Sequence, residues 1–100
     1  MRLFSMSAVL FLIISYSAPT IAAAPEDVQK AYENCVEFMS HGNRQLTPEA
    51  ARAWAVEQCD GLRKNSCPTP DSRWCDGWVN QYLGDVLRGD AEKRGIKLPH

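Results

Sequence analysis

The 100-residue chain has only two histidines, His41 beside a turn glycine and His100 at the last position. Nucleophilic catalysis needs an activated nucleophile, a base within hydrogen-bond reach and a group that orients the base. Neither histidine sits in such a pattern, and His41 reads as a solvated turn residue. There is no Cys-x-x-Cys pair, which sets aside thioredoxin-type redox chemistry and haem attachment. The intervals Cys35-x23-Cys59-x7-Cys67-x7-Cys75 also lack the paired spacing, about two to four residues, of structural zinc sites. No basic excess exists: 11 Lys and Arg face 12 Asp and Glu, so neither nucleic acid nor an anionic membrane is an expected partner. Strand-like alternation, internal repeats and low-complexity tracts are missing. The carboxylates a glycoside hydrolase would need are scattered acids, Glu57, Asp60, Asp76 and Asp85. Asp60 and Asp76 each stand between a cysteine and a glycine, and read as solvated helix-face acids beside small residues. The sequence therefore predicts no enzyme, no cofactor and no metal.

What is present begins with an export signal. Arg2 is the only charge before Glu26, and Leu3 to Ile14 is almost wholly apolar. A stretch of about 12 apolar residues is short of the roughly 20 that span a bilayer as a helix. That length suits a signal-peptide core, here followed by small residues; a retained anchor helix is the competing reading. Cleavage after Ala23 is expected, with Ala22 as the alternative, because cleavage after Ala24 would leave Pro25 at the new terminus. The chain thus divides into residues 1–23, a signal peptide, and 24–100, one domain of 77 residues. Loss of Arg2 leaves 10 basic and 12 acidic residues, a net charge of −2. Periplasmic or secreted localisation follows, with no stable membrane anchor.

The domain reads as all-α. Pro25-Glu26-Asp27 opens a first helix whose apolar face is Val28, Ala31, Tyr32, Cys35 and Met39, at spacings of three and four. Gly42 is the expected left-handed cap at its end. Thr47 caps a second helix, with Pro48 first inside it and a stripe of Ala51, Trp54, Ala55, Cys59 and Leu62. Pro68 and Pro70 hold the next loop extended. The third helix, capped by Thr69 or Asp71, carries Cys75, Trp78, Val79, Tyr82, Leu83 and Val86 and stops at Arg88-Gly89-Asp90. A short polar turn is expected over residues 91–94, and the tail from Gly95 should lie along the surface. The expectation is a small three- to four-helix bundle stapled by two disulfides.

All four cysteines, Cys35, Cys59, Cys67 and Cys75, lie in the domain, and an even count in a short exported chain reads as two bridges. Four cysteines allow three pairings. In an up-down-up bundle, Cys59 near the bottom of helix two would lie level with Cys75 at the start of helix three. That favours Cys59 with Cys75, and Cys35 with Cys67.

Tryptophan is the other surplus, at three residues. Trp78 falls on the apolar stripe. Trp74 falls at its edge, on the face shared with Asp71, Gln81 and Asp85. A tryptophan there, with Arg73 beside it, has the composition of a protein-binding hot spot; a lid over a small core is the equal alternative. Trp74, Arg73 and Asp85 are the candidate partner-binding residues.

A helix-one cysteine, Cys35, is followed by Cys59-Asp60-Gly61 on helix two, then by Cys67-Pro68 and a Tyr82-Leu83 helix. This pattern, across most of the domain, resembles the Rap/Tai immunity proteins of type VI secretion. The family usually continues into another helix ending near a further cysteine. Cys75 has no counterpart in it, and Leu62 stands where tyrosine is more usual. The resemblance implies a small helical periplasmic protein that binds and neutralises a peptidoglycan-cleaving amidase effector. A structural or stress-related exported protein is the alternative, and a homodimer is a possible assembly.

Overall fold

In the computed structural model, which describes residues 23–100, Pro25 opens the first helix, α1 (Pro25–Gly42). Residues 1–22, with most of the expected signal peptide, lie outside the described residues. Glu26 and Asp27 occupy the first turn of α1, where negative charge opposes the helix dipole. Gly42 does not form the expected left-handed cap. It stays helical, and Asn43 follows with φ −106°, its N–H donating to the Ser40 carbonyl at 3.4 Å.

The second helix, α2 (Pro48–Ser66), starts as its sequence indicates: the Thr47 hydroxyl accepts the Ala50 N–H at 3.2 Å. Ala51, Ala55 and Cys59 are its buried residues, and Ala55 and Cys59 share the core cluster with Ala31, Cys35 and Val36 of α1. Leu62, expected on that stripe, is instead exposed. The two helices are antiparallel, since Tyr32 meets Arg63 while Glu37 meets Arg52. The third helix, α3 (Cys75–Leu83), returns parallel to α1. Trp78 donates from its indole to the Val28 carbonyl at 3.4 Å, and Asn34 donates to the Tyr82 carbonyl at 2.8 Å.

The disulfides join Cys35 to Cys59 and Cys67 to Cys75, not Cys59 to Cys75 and Cys35 to Cys67. The reason is height. Helix α2 continues about seven residues beyond Cys59, so about 10 Å of helix separates that cysteine from the lower end of the bundle. Cys59 therefore lies level with Cys35 at mid-height. Cys67 caps α2 at the end where Cys75 begins α3. In the chain-entropy account, closing loops with separations of 24 and 8 residues contributes about 3.5 and about 2.5 kcal/mol respectively.

Helix three also ends earlier than its periodicity suggests. Gly84, at φ −82° and ψ 174°, breaks the run, and a separate helix, α4 (Asp85–Lys93), follows. The Asn80 carbonyl oxygen lies where a Cβ at position 84 would stand, so only glycine fits this approach. Val86, expected in the core, is consequently 89% exposed, and Gly89 lies within α4 rather than ending a helix.

The left-handed cap belongs to α4. Gly95 has φ 72°, its N–H donates to the Glu92 carbonyl, and Ile96 N–H donates to Ala91 at 2.8 Å. This is the Schellman arrangement, completed by apolar contact between the residues it brings together; Ile96 and Ala91 are both buried. The tail is thus packed rather than merely laid on the surface. Asn34, 1% exposed, grips it from both sides: its amide donates to the His100 carbonyl at 3.0 Å, and its oxygen accepts the His100 N–H at 3.1 Å. The His100 imidazole, and then the Gln29 amide, hold the adjacent Glu33 carboxyl below its ordinary range.

Two stability outcomes follow from this packing. Gly84→Ala should destabilise the chain by about 1–3 kcal/mol, whereas Gly61→Ala, in open space on α2, should stabilise it by up to about 1 kcal/mol; urea unfolding of the two variants reads both signs. Because folding lowers the Glu33 pKa, its charge favours the native state above its unfolded value, and that contribution disappears as pH falls through the lower folded one. Melting temperatures of the wild type and Glu33→Gln should therefore differ at neutral pH and converge in acid. A difference that is constant with pH would contradict this.

Candidate functional site

The loop between α2 and α3 is closed on itself by Cys67–Cys75 and tightened by turns, Ser72 N–H to Thr69 at 3.0 Å and Cys75 N–H to Ser72 at 3.0 Å. It delivers Arg73 and Trp74 to the start of α3. Trp74 is 63% exposed, and the Arg73 guanidinium lies over its ring, 4.8 Å from the centroid. Such a stack keeps both side chains in one geometry. Trp78, one turn along α3, is buried against Tyr82, with ring centroids 4.7 Å apart. One helical turn thus separates an exposed tryptophan from a buried one.

Two open hollows flank the outward side of α3 and share Gly77 and Gln81. The hollow toward α2, about 430 Å³, is lined by Asn65, Ser66, Trp74, Gly77, Trp78 and Gln81. The hollow toward α4, about 530 Å³, includes Asn80, Gly84, Asp85, Val86, Leu87 and Asp90. Of the sequence-derived candidates, the structure brings Arg73 and Trp74 into contact. Asp85 stands apart from them, beyond the Gly84 break on the rim of the α4 hollow, with its carboxylate 3.3 Å from Arg88. Periodicity misassigned Val86, because nothing in the spacing announces the break at Gly84. Asn65, Ser66 and Gly77 were not singled out; their signal was proximity to Trp74 across a disulfide, which linear spacing does not display.

Charges near the α2 hollow are neutralised locally. Lys64 and Arg63 both contact Asp60, at 3.2 and 3.0 Å, and hold its carboxyl below the ordinary range, Lys64 most strongly. At the other end of the bundle, His41 contacts Glu37 at 3.0 Å and Arg52 contacts the same carboxylate at 3.3 Å. Among the described residues no group of three or more His, Cys, Asp or Glu is placed to hold a metal ion, and no helix is long and apolar enough to cross a membrane.

The fold and this face define a small, all-helical, disulfide-stapled domain that displays a stacked Trp–Arg pair. Comparison with protein-family models, with curated proteins and with solved structures finds no match to this chain.

The partition between core and surface tryptophan has a direct consequence. Trp74→Ala should leave unfolding free energy within about 0.5 kcal/mol of the wild type, whereas Trp78→Ala should cost about 3–5 kcal/mol. Thermal or urea denaturation of the pair decides it; comparable losses would place Trp74 in the core.

Proposed function

We propose that the chain is a periplasmic immunity protein that binds a peptidoglycan-cleaving hydrolase and silences it by covering the active site. The observation that carries this reading is Trp74, 63% exposed and stacked by Arg73 at the end of a disulfide-closed loop. A large aromatic and an arginine held in one geometry lose little freedom on binding, and these residue types dominate binding hot spots. Asp85 and Val86 extend the contact surface on the far side of Gly77. Two disulfides suit an oxidising compartment such as the periplasm. The spacing of Cys35, Cys59-Asp60-Gly61, Cys67-Pro68 and Tyr82-Leu83 supports the same reading through its likeness to the Rap/Tai pattern. Occlusion requires no chemistry from the inhibitor, so the protein acts as a binder rather than an enzyme.

The test is capture with the tagged, oxidised protein from periplasmic extract, followed by reconstitution with the captured hydrolase. One stoichiometric cell-wall hydrolase, inhibited on mixing, is the expected result. Trp74→Ala should then weaken the complex by more than about 1 kcal/mol, read by calorimetry. Unchanged affinity would remove Trp74 from the interface. Capture of no hydrolase would favour a structural or stress-related role.

A further inference from the structure

We propose that the hollow between α2 and α3 is a binding site for a neutral glycan, with the Trp74 indole as its stacking wall. This goes beyond the hydrolase reading and does not rest on it.

The lining carries the argument. Asn65, Ser66 and Gln81 supply two amides and a hydroxyl around Trp74, and no charged side chain lines the hollow. Among the described residues these three side chains have no hydrogen-bond partner, and the Trp74 indole N–H has none either. Arg63 and Lys64, at the end of α2, are engaged by Asp60, and the Arg73 guanidinium lies over the Trp74 ring. Trp74, 63% exposed, thus borders a hollow of uncharged donors and acceptors.

A pyranose matches that chemistry. Its axial C–H groups form an apolar, weakly positive face that suits the negative face of an indole. Its equatorial hydroxyls, or an acetamido group, offer both donors and acceptors to amide and hydroxyl side chains. An anionic ligand finds no cation in the lining, and a lipid tail would leave the amides unpaired. Gly77 is the remaining element. A Cβ there meets nothing within 4 Å, so the glycine satisfies no packing need and leaves the hollow open beside Trp74. The volume, about 430 Å³, falls within the usual range for small-ligand sites, about 300–1,000 Å³.

The experiment uses the oxidised protein alone, titrated with N-acetylglucosamine tetramer and, separately, with cellotetraose. Amide and indole NMR shifts and tryptophan fluorescence report binding. Saturable shifts at the side-chain amides of Asn65 and Gln81 and at the Trp74 indole are expected. Response to both sugars identifies the pyranose face as the determinant, and response to the first alone identifies the acetamido group; either supports the site. Trp74→Ala should weaken binding about tenfold, and Gly77→Leu, which projects into the open space, should do the same with its helical spectrum intact. Asp85→Arg, outside the hollow, should leave sugar affinity unchanged while weakening any hydrolase complex that uses that rim. Absence of a saturable response to either sugar up to about 10 mM overturns the proposal. So does a response that survives Trp74→Ala. If Trp74→Ala weakens only a hydrolase complex and no sugar binds, the face belongs to a protein partner and the glycan site is rejected.

Discussion

The rest of the structure depends on the Cys35–Cys59 bridge at the centre of the α1–α2 interface. Both cysteines are fully buried, and they share the core cluster with the small residues Ala31 and Ala55. Small residues let the two helices approach closely, but each buries little apolar surface, and hydrophobic stabilisation scales with that area. Trp78 and Tyr82 are the two aromatic residues of the buried core, and both come from α3. The bridge therefore joins two helices that meet through small side chains, and α3 packs mainly against α1. Met39 packs its thioether against both sulfurs, at 3.8 and 3.6 Å, so the crosslink is part of the core rather than a strap across its surface.

A core this small makes each buried polar group consequential. Asn34 is the one buried polar side chain among the described residues, and an unpaired amide there would cost more than the bonds themselves contribute. It is instead satisfied three times, by the Tyr82 carbonyl and by both backbone groups of His100. One side chain thus ties α1 to the end of α3 and to the tail. Helix α4 is linked to this arrangement through Gly95, whose left-handed turn directs Ile96 back to Ala91. The second half of the domain is held by hydrogen-bond geometry where the first half is held by a covalent bond.

These two modes explain what the sequence discloses. Helices α1 and α2 were legible because their signals are local: proline at the first position, a Thr47 cap, an apolar face at spacings of three and four. The disulfide pairing was misread because Cys59 was set near the bottom of α2, whereas the helix runs on about two turns to Ser66 and leaves Cys59 at mid-height, level with Cys35. The break at Gly84 was hidden because the apolar period continues through it to Val86; the reason for the break is the approach of the Asn80 carbonyl, a contact that spacing cannot show. Gly42 is the last residue of α1 and Gly95 lies just beyond α4, and only Gly95 has a buried apolar residue after it to complete the cap. For the site, Trp74 and Arg73 were legible as a composition at the edge of a stripe. Asn65 and Ser66, which complete the hollow, come from the end of α2 and meet Trp74 across the loop that Cys67 and Cys75 close.

The exposure of Trp74 gains meaning from the poverty of the core. A domain this short of large buried side chains would be expected to place every tryptophan inside, since burying one removes 150–250 Å² of largely apolar surface from water, by about the usual aromatic figure. Here Trp78 does so and Trp74 does not, although the two are a single helical turn apart. Rotation of α3 toward α2 would cover Trp74 but would withdraw Trp78 from Val28 and Tyr82 from Asn34. The Cys67–Cys75 bridge fixes the start of α3 against such a rotation, so the same bond that stabilises the loop also keeps Trp74 outward. Arg73 over the ring, and Asn65, Ser66 and Gln81 around the adjoining hollow, then surround an exposed aromatic side chain. Surface aromatic area held in this way is more costly to the free domain than to a complex, which is why the proposed binding role falls on this face rather than on the polar end around His41, Glu37 and Arg52.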